Sequence, residues 1–127
     1  MHNAIVGLGS NIDPLKNIEK AKILVAKEFK VLAESQFLTT KPLGKTDQAN
    51  FLNGALLLET GKSVAQLKNS LKKIEISLGR KKSGKDFGPR IIDLDLLVWD
   101  QNVVNKDFYE RDFVRTSVLE LMPELKY

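Results

Sequence analysis

The clearest pattern in the chain is a two-residue alternation over residues 91–98. Apolar side chains occupy every second position, and Asp93 and Asp95 lie at positions between them. This alternation predicts a β-strand with one face on the core, because successive strand side chains point to opposite faces. The predicted apolar face comprises Ile92, Leu94, Leu96 and Val98.

Similar patterns predict the other elements. Apolar runs and alternation indicate strands over residues 4–8, 30–40, 51–59 and 103–104. Apolar residues at three- and four-residue spacing indicate helices over residues 14–27, 63–79 and 116–122. We expect Asp13 to cap the first helix, whose apolar stripe begins at Leu15. Ser63 and Gln66 form a capping box at the second helix.

These elements predict the fold class. Their order is strand, helix, strand, strand, helix, strand, which is the split βαβ order of a ferredoxin-like α+β fold. Such a fold has a mostly antiparallel sheet with two main helices on one face. At 127 residues, the chain is expected to form a single domain over residues 1–127. Asp93, Asp95, Phe51 and Asn53 would line the opposite face of the sheet.

The composition and net charge limit the kinds of ligand that the protein is expected to bind. The formal net charge of +4 and the pI near 9.3 suit a polyanionic ligand, either a nucleotide or a nucleic acid. The chain has no cysteine, which excludes disulfides and thiolate chemistry. It has no signal peptide and no apolar run of membrane-spanning length, and we expect a cytoplasmic protein without membrane contact. We assign no role to the lone histidine, His2, because chain termini are usually loosely held.

The two aspartates are the strongest candidates for chemistry. Carboxylates so close together between Ile91 and Leu97 are costly unless a cation or hydrogen bonds compensate them. Mg²⁺ suits such a pair, because it keeps waters and takes its remaining ligands from substrate phosphates. A turn from Phe87 delivers Arg90, a phosphate ligand, to the start of the strand, and a basic loop over residues 80–86 precedes it. The alternative is an edge strand with two solvated aspartates, but these neighbours favour a metal-nucleotide site.

Phe51 and Asn53 form a second candidate group. They share one face of the predicted strand over residues 51–59. An aromatic ring beside an amide can hold the face and the edge of a flat heterocycle. The alternative is an asparagine whose amide is satisfied by a neighbouring loop, as buried amides usually are.

These segments together resemble the hydroxymethyl-dihydropterin pyrophosphokinase family of the folate pathway. The resemblance follows the family order along nearly the whole chain and is most specific in Gly-Pro-Arg-x-x-Asp-Leu-Asp, which ends at Asp95. The other matching segments are residues 7–11, 40–44, 51–53, 79–80, 110–113 and 123–125, with Glu75. The family transfers the β,γ-pyrophosphoryl group of ATP to the hydroxymethyl oxygen of the dihydropterin and releases AMP.

The resemblance implies a role for each matching residue. Asp93 and Asp95 would bind two Mg²⁺ ions that bridge the triphosphate. Asp95 would act with Arg80 and Arg90 in catalysis, the two arginines neutralising phosphate charge. The pterin would contact Thr40, Lys41, Leu43, Phe51, Asn53, Phe87 and Phe113, with the rings of Phe51 and Phe113 on its two faces. The nucleotide would contact Glu75, Arg80, Lys82, Arg90 and Arg111.

Two segments depart from the family. In the basic loop, Lys82 replaces a frequent arginine and Asp86 stands where some members have another. The connection between Val104 and Glu110 is shorter than in most members and lacks their Pro-His motif, so contacts from it to adenine are not assigned. We expect a monomer that binds ATP and the pterin alcohol. The alternatives are a ferredoxin-like nucleic-acid-binding module and a family member that binds pterin but turns over poorly. Nucleic acid is disfavoured, because no RNP1-like stretch occurs and the paired strand aspartates would repel phosphates unless they were bound to metal.

Overall fold

The computed structural model describes residues 1–41, 49–79 and 91–127, which form an α+β structure with an antiparallel sheet. The strands are β1 (His2–Ser10), β2 (Lys30–Glu34), β3 (Leu38–Thr40), β4 (Phe51–Thr60), β5 (Asp93–Trp99) and β6 (Asn102–Val103). The helices are α1 (Pro14–Glu28), α2 (Val64–Ser77), α3 (Asp107–Glu110) and α4 (Asp112–Leu121). No helix in these ranges is long and apolar enough to cross a lipid bilayer.

β1 lies in the middle of the sheet. The strand order is β2-β4-β1-β5-β6, β3 also pairs with β4, and every pair is antiparallel. The register places Gly9 of β1 beside Asn53 of β4 and Asp93 of β5. Gly7 pairs in the same way with Asp95. The two strands with candidate site residues therefore flank a strand that has glycine at the matching positions.

α1 and α2 pack on one face of the sheet, as predicted. Their inward residues form a core with alternate residues of β1, β4 and β5. The helical members of this core include Ile18, Ala21, Val25, Leu67, Leu71 and Ile74. The predicted capping box of Ser63 and Gln66 begins α2. Gly79 follows its C-terminal end with a φ of 98°, a left-handed conformation that glycine adopts without strain.

The start of α1 differs from the prediction. Asp13 precedes Pro14, but its φ of 41° is left-handed and its side chain makes no capping hydrogen bond. A capping side chain needs the extended backbone that is usual at this position. Leu15 is 74% exposed, so the buried stripe begins one turn later, at Ile18.

A bulge in β5 moves Val98 to the other face of the sheet. Ile5 of β1 pairs with Val98, whereas the next residue, Val6, pairs with Leu96. Leu97 is therefore an extra residue on β5, and Val98 joins Ile5 and Leu97 in a second core. The predicted placement of Val98 on the α1 and α2 side was wrong, because a bulge shifts the alternation by one residue.

α4 covers part of the opposite face over this second core. The core comprises Ile5, Ala55, Leu97, Val98, Phe108, Val118, Met122 and Leu125. The helix predicted over residues 116–122 begins earlier, at Asp112, and the short helix α3 precedes it. Charged residues obscured the apolar positions in this segment, since Phe108 is fully buried and Val114 packs against the second core one turn before Val118.

The strand predicted over residues 30–40 is divided into β2 and β3. Between them, Ser35 donates its N–H to the Ala55 carbonyl at 2.9 Å, and its Oγ accepts from the Ala55 N–H at 2.9 Å. Phe37 then packs over Gly54, where a Cβ would lie 2.5 Å from the ring. The interruption therefore has a packing cause that local sequence patterns do not reveal.

β2 forms one outer edge of the sheet. Its register against β4 shifts between Val31 and Ala33, which places one extra residue in the strand. Lys30 and Glu34 at its ends are exposed. This edge is short, charged and irregular.

Candidate functional site

A cavity opens on the sheet face opposite α1 and α2, as predicted. We call it the first cavity; residues of β1, β3, β4, β5, α3 and α4 line it. The predicted residues around it are Thr40, Lys41, Phe51, Asn53, Asp93, Asp95, Arg111 and Phe113. The structure thus brings together residues from four separate segments of the chain.

Glycines of β1 form the floor of the first cavity. A Cβ on Gly9 would lie 2.5 Å from Asn53 Oδ1, and a Cβ on Gly7 would lie 3.0 Å from Leu97 Cδ1. Asn53 and Asp93 are on the strands either side of β1, so their backbones are about 10 Å apart at ordinary strand spacing. Glycine at position 9 leaves the space between these two side chains open.

The amide of Asn53 is oriented by the neighbouring strand. Its Nδ2 donates a hydrogen bond to Thr40 Oγ1. This bond fixes the plane of the amide, and Oδ1 lies over Gly9 at the cavity floor. The local satisfaction considered in the sequence analysis is therefore present, and Asn53 also lines the cavity.

α3 adds a carboxylate that the sequence analysis missed. Asp107 lines the first cavity with Arg111, and Arg111 Nε lies 3.7 Å from Asp107 Oδ1. The two residues are four positions apart, a spacing that itself predicts contact on a helical turn. This pair places one anion and one cation beside Phe113 in the cavity wall.

A second cavity adjoins the first and shares Asp93 and Asp95 with it. Its volume is about 570 Å³, and α2, β5 and the segment after β6 line it. The predicted residue Glu75 contributes to its wall, together with Lys68 and Lys72, which the sequence analysis missed. The sequence spacing of Lys68, Lys72 and Glu75 could have identified the two lysines, because it places all three residues on one face of the helix.

Glu75 fixes the backbone of β5 between the two aspartates. Its side chain is 7% exposed, and its Oε2 accepts a hydrogen bond from the Leu94 N–H at 2.7 Å. Leu94 lies between Asp93 and Asp95 in sequence. The predicted contact of Glu75 with the nucleotide stays a prediction.

The carboxylate pair has a donor set suited to Mg²⁺. Both aspartates are half-buried on one strand face, about 6–7 Å apart at the rise of a strand. In the described ranges, no group of three or more His, Cys, Asp or Glu side chains is arranged to hold a metal ion. One or two carboxylates are nevertheless enough for Mg²⁺, which completes its shell with waters and substrate phosphates. Asp93 and Asp95 are the residues that would hold it.

Five predicted site residues lie outside the described ranges. They are Leu43, Arg80, Lys82, Phe87 and Arg90. The basic loop over residues 80–86 and the turn that leads to Arg90 lie outside them as well. Their assigned roles stay predictions.

The structure is thus an α+β protein with one cavity on the open face of its sheet and a second cavity beside it, between β5 and α2. The chain matches the family described as 7,8-dihydro-6-hydroxymethylpterin-pyrophosphokinase over residues 5–123. It therefore belongs to that family.

Curated relatives cover most of this chain. The folate synthesis bifunctional protein of Arabidopsis thaliana is 33% identical over 128 residues, which are 93% of this chain and 26% of that protein. The 2-amino-4-hydroxy-6-hydroxymethyldihydropteridine pyrophosphokinase of Haemophilus influenzae is 28% identical over 136 residues, 98% of this chain and 84% of that protein. The Campylobacter jejuni protein of the same name is 36% identical over 103 residues, 79% and 65% of the two chains. The chain spans 25–26% of the length of two plant relatives, those of Arabidopsis thaliana and Pisum sativum.

Proposed function

We propose that this protein transfers the pyrophosphoryl group of ATP to the hydroxymethyl oxygen of 6-hydroxymethyl-7,8-dihydropterin, in folate synthesis, and releases AMP. The observation that carries the proposal is the place of Asp93 and Asp95, which line both cavities. A transfer between two bound ligands requires their reacting groups to meet at one place. Family membership and the names of the two bacterial relatives support the same reaction.

The first cavity is the proposed pterin site. Phe51 and Phe113 offer aromatic rings at its wall, and a flat heterocycle gains from stacking on such rings. Asn53 offers its amide at the cavity floor, held there by Thr40. The site combines apolar and aromatic side chains with fixed polar groups, and such polar groups determine the orientation of a bound ligand.

The second cavity is the proposed nucleotide site. Lys68 and Lys72 place two cationic side chains along its α2 wall, and ammonium groups form strong hydrogen bonds with phosphate oxygens. Arg111 stands across the shared aspartates in the first cavity. The triphosphate would then lie between cations from two sides and extend towards the pterin.

The proposed reaction needs positioning and charge compensation rather than a protein nucleophile. The hydroxymethyl oxygen forms a bond to the β-phosphorus and loses its proton, while the bond from that phosphorus to the oxygen shared with the α-phosphorus breaks. AMP leaves with that oxygen. Mg²⁺ bound at Asp93 and Asp95 would supply charge neutralisation of the phosphates. The protein holds the two ligands in line and keeps the carboxylates in place.

We also infer a ferredoxin-like arrangement for the fold. It is supported by the central pair of β1 and β4 and by two helical connections, α1 and α2, on one face. β3, β6 and the two C-terminal helices would be additions to that arrangement.

A product assay tests the proposed reaction. The protein is incubated with MgATP and 6-hydroxymethyl-7,8-dihydropterin, and the nucleotide products are separated by anion-exchange chromatography. AMP should form in equal amount with the pterin pyrophosphate, and no AMP should form without the pterin. ADP as the pterin-dependent product, or no product at saturating ligands, would overturn the proposal.

A further inference from the structure

Within the described part of the chain, the outer edge of β5 is paired with a strand only at its end. β6 pairs with Val98 and Trp99, and the Val104 N–H donates to the Leu97 carbonyl at 3.0 Å. Among the described residues, no strand pairs with this edge alongside Asp93 or Asp95. Backbone groups at such an edge need other partners, because unpaired groups at a partly buried edge cost free energy.

Two side chains from different elements make these contacts. Glu75 of α2 accepts from the Leu94 N–H at 2.7 Å. Asn105, in the segment after β6, donates its Nδ2 to the Leu96 carbonyl at 3.4 Å. The backbone of β5 is thus held on each side of Asp95, once before it and once after it.

Asn105 has a second contact that joins β5 to α3. Its Oδ1 accepts from the Asp107 N–H at 2.9 Å, which fixes the first residue of the helix. Asp107 in turn pairs with Arg111 in the wall of the first cavity. A single amide therefore links the carboxylate strand to the helix that carries the facing ion pair.

We propose that Asn105 is a positioning residue for the Asp95 carboxylate and, through it, for the bound metal and nucleotide. The proposal rests on the proposed function. A β-strand side chain follows the tilt of its own backbone, so a hydrogen bond at Leu96 restrains the direction of Asp95. The Asn105 amide supplies both the donor for the Leu96 carbonyl and the acceptor for the Asp107 N–H.

The variants N105A and N105S separate the two contacts. Alanine removes both, whereas serine can accept from the Asp107 N–H but is too short to reach the Leu96 carbonyl. Asn102 gives the matched control, because its exposed Nδ2 contacts the Trp99 carbonyl at 3.5 Å and it lines neither cavity. N102A should therefore behave as wild type.

The experiment measures Mn²⁺ binding by titration calorimetry in the presence of α,β-methylene-ATP, an analogue that cannot release AMP. Both Asn105 variants should bind Mn²⁺ about 10-fold more weakly or worse, the usual loss when a residue behind a metal ligand is removed. The pterin affinity of N105S should stay close to that of wild type, because serine keeps the contact with the Asp107 N–H. The Mg²⁺ concentration that gives half-maximal AMP release should rise in the same proportion.

Three outcomes decide the proposal. Asn105 also lines the second cavity, so the proposal is supported by weaker Mn²⁺ binding of N105A and N105S, but not of N102A, with unchanged affinity for the metal-free analogue. A lowered melting temperature with unchanged Mn²⁺ binding means that Asn105 is only structural, and overturns it. Wild-type protein that neither releases AMP nor binds Mn²⁺ with the analogue overturns the proposed function itself, and this inference with it.

Discussion

At the residue scale, Gly9 shows how the absence of a side chain determines the shape of the first cavity. The variant G9A would place a Cβ 2.5 Å from Asn53 Oδ1, and the amide would have to move from its place beside Thr40. Overpacking of this kind typically costs about 1–3 kcal/mol. We predict that G9A weakens pterin binding in calorimetry and leaves nucleotide binding nearly unchanged.

Gly61 supplies the control for this variant. A Cβ there would meet Met1 Sδ at 3.5 Å, an ordinary contact, and Gly61 lies outside both cavities. G61A should bind pterin as wild type does. The assignment of the first cavity would be wrong if G9A also bound pterin with wild-type affinity.

The carboxylates give the sharpest catalytic prediction. D93N and D95N should each abolish AMP release while the fold is retained, since each removes a charge that would hold Mg²⁺. Thermal melting checks that the fold is retained, and AMP release by the same samples measures the loss of turnover. Near wild-type turnover by either variant would remove that residue from the mechanism.

His2, to which the sequence analysis assigned no role, makes a specific contact. Its Nδ1 lies 3.0 Å from Asp100 Oδ2, and its ring lies 4.6 Å from that of Trp99. The hydrogen bond from His2, with that from the Asn3 N–H, holds the pKa of Asp100 below its ordinary value. A lowered folded-state pKa stabilises the fold above the unfolded pKa, and this stabilisation is lost as the pH falls through the folded pKa.

We therefore predict a pH-dependent effect of D100N. Asparagine tolerates the left-handed φ of 55° at this position, so the substitution mainly removes the charge. D100N should melt at a lower temperature than wild type at about pH 5.5 and by a smaller margin at about pH 3, below the unfolded pKa, because this stabilisation is lost as the pH falls through the lowered pKa of Asp100. A difference of equal size at both values would show that the charge is not the cause.

At the element scale, α2 is well predicted from the sequence, and it forms one wall of the second cavity. Ser63 Oγ accepts from the Gln66 N–H at 3.2 Å, and Gln66 Oε1 accepts from the Ser63 N–H at 2.9 Å. S63A should lower the free energy of unfolding by about 1 kcal/mol, as loss of an N-terminal cap does. Urea titration of S63A and of wild type measures the difference, and equal stabilities would mean that the cap contributes nothing.

Regular elements explain why so much of the site was predictable. Phe51, Asn53, Asp93 and Asp95 lie in strands, where alternation alone determines which face each side chain occupies. The remaining features depend on contacts between distant segments. The bulge at Leu97 adds one residue without a local signal, and nothing in the alternation itself shows where it falls.

The missed site residues have a different cause. Lys68 and Lys72 look like ordinary solvent-facing lysines of an amphipathic helix, and only the position of β5 turns them towards a cavity. Asp107 and Asn105 lie in a charged segment, where no periodic spacing of apolar residues indicates the helix α3. Their roles depend on the fold of the connection as a whole, which sequence spacing does not give.

At the scale of the whole molecule, the short connection between Val104 and Glu110 should affect the selectivity of the protein between ATP and GTP. The second cavity presents Lys68, Lys72 and the shared carboxylates, groups suited to phosphates and metal rather than to a base. We predict that GTP replaces ATP with a loss of less than about 10-fold in kcat/KM, or ~1.4 kcal/mol. Competition kinetics with the two nucleotides measures this ratio. A much stronger preference for ATP would mean that other residues form a base-specific pocket.

The register shift in β2 has a consequence for the protein in concentrated solution. An outer strand with regular free N–H and C=O groups is a template on which another chain can add, the usual first step of edge-to-edge aggregation. Here the extra residue between Val31 and Ala33 interrupts the regular spacing of these backbone groups. The exposed Lys30 and Glu34 place charges at the two ends of β2. Deletion of Leu32 would restore an even ladder and leave the sheet open to growth by a neighbouring copy.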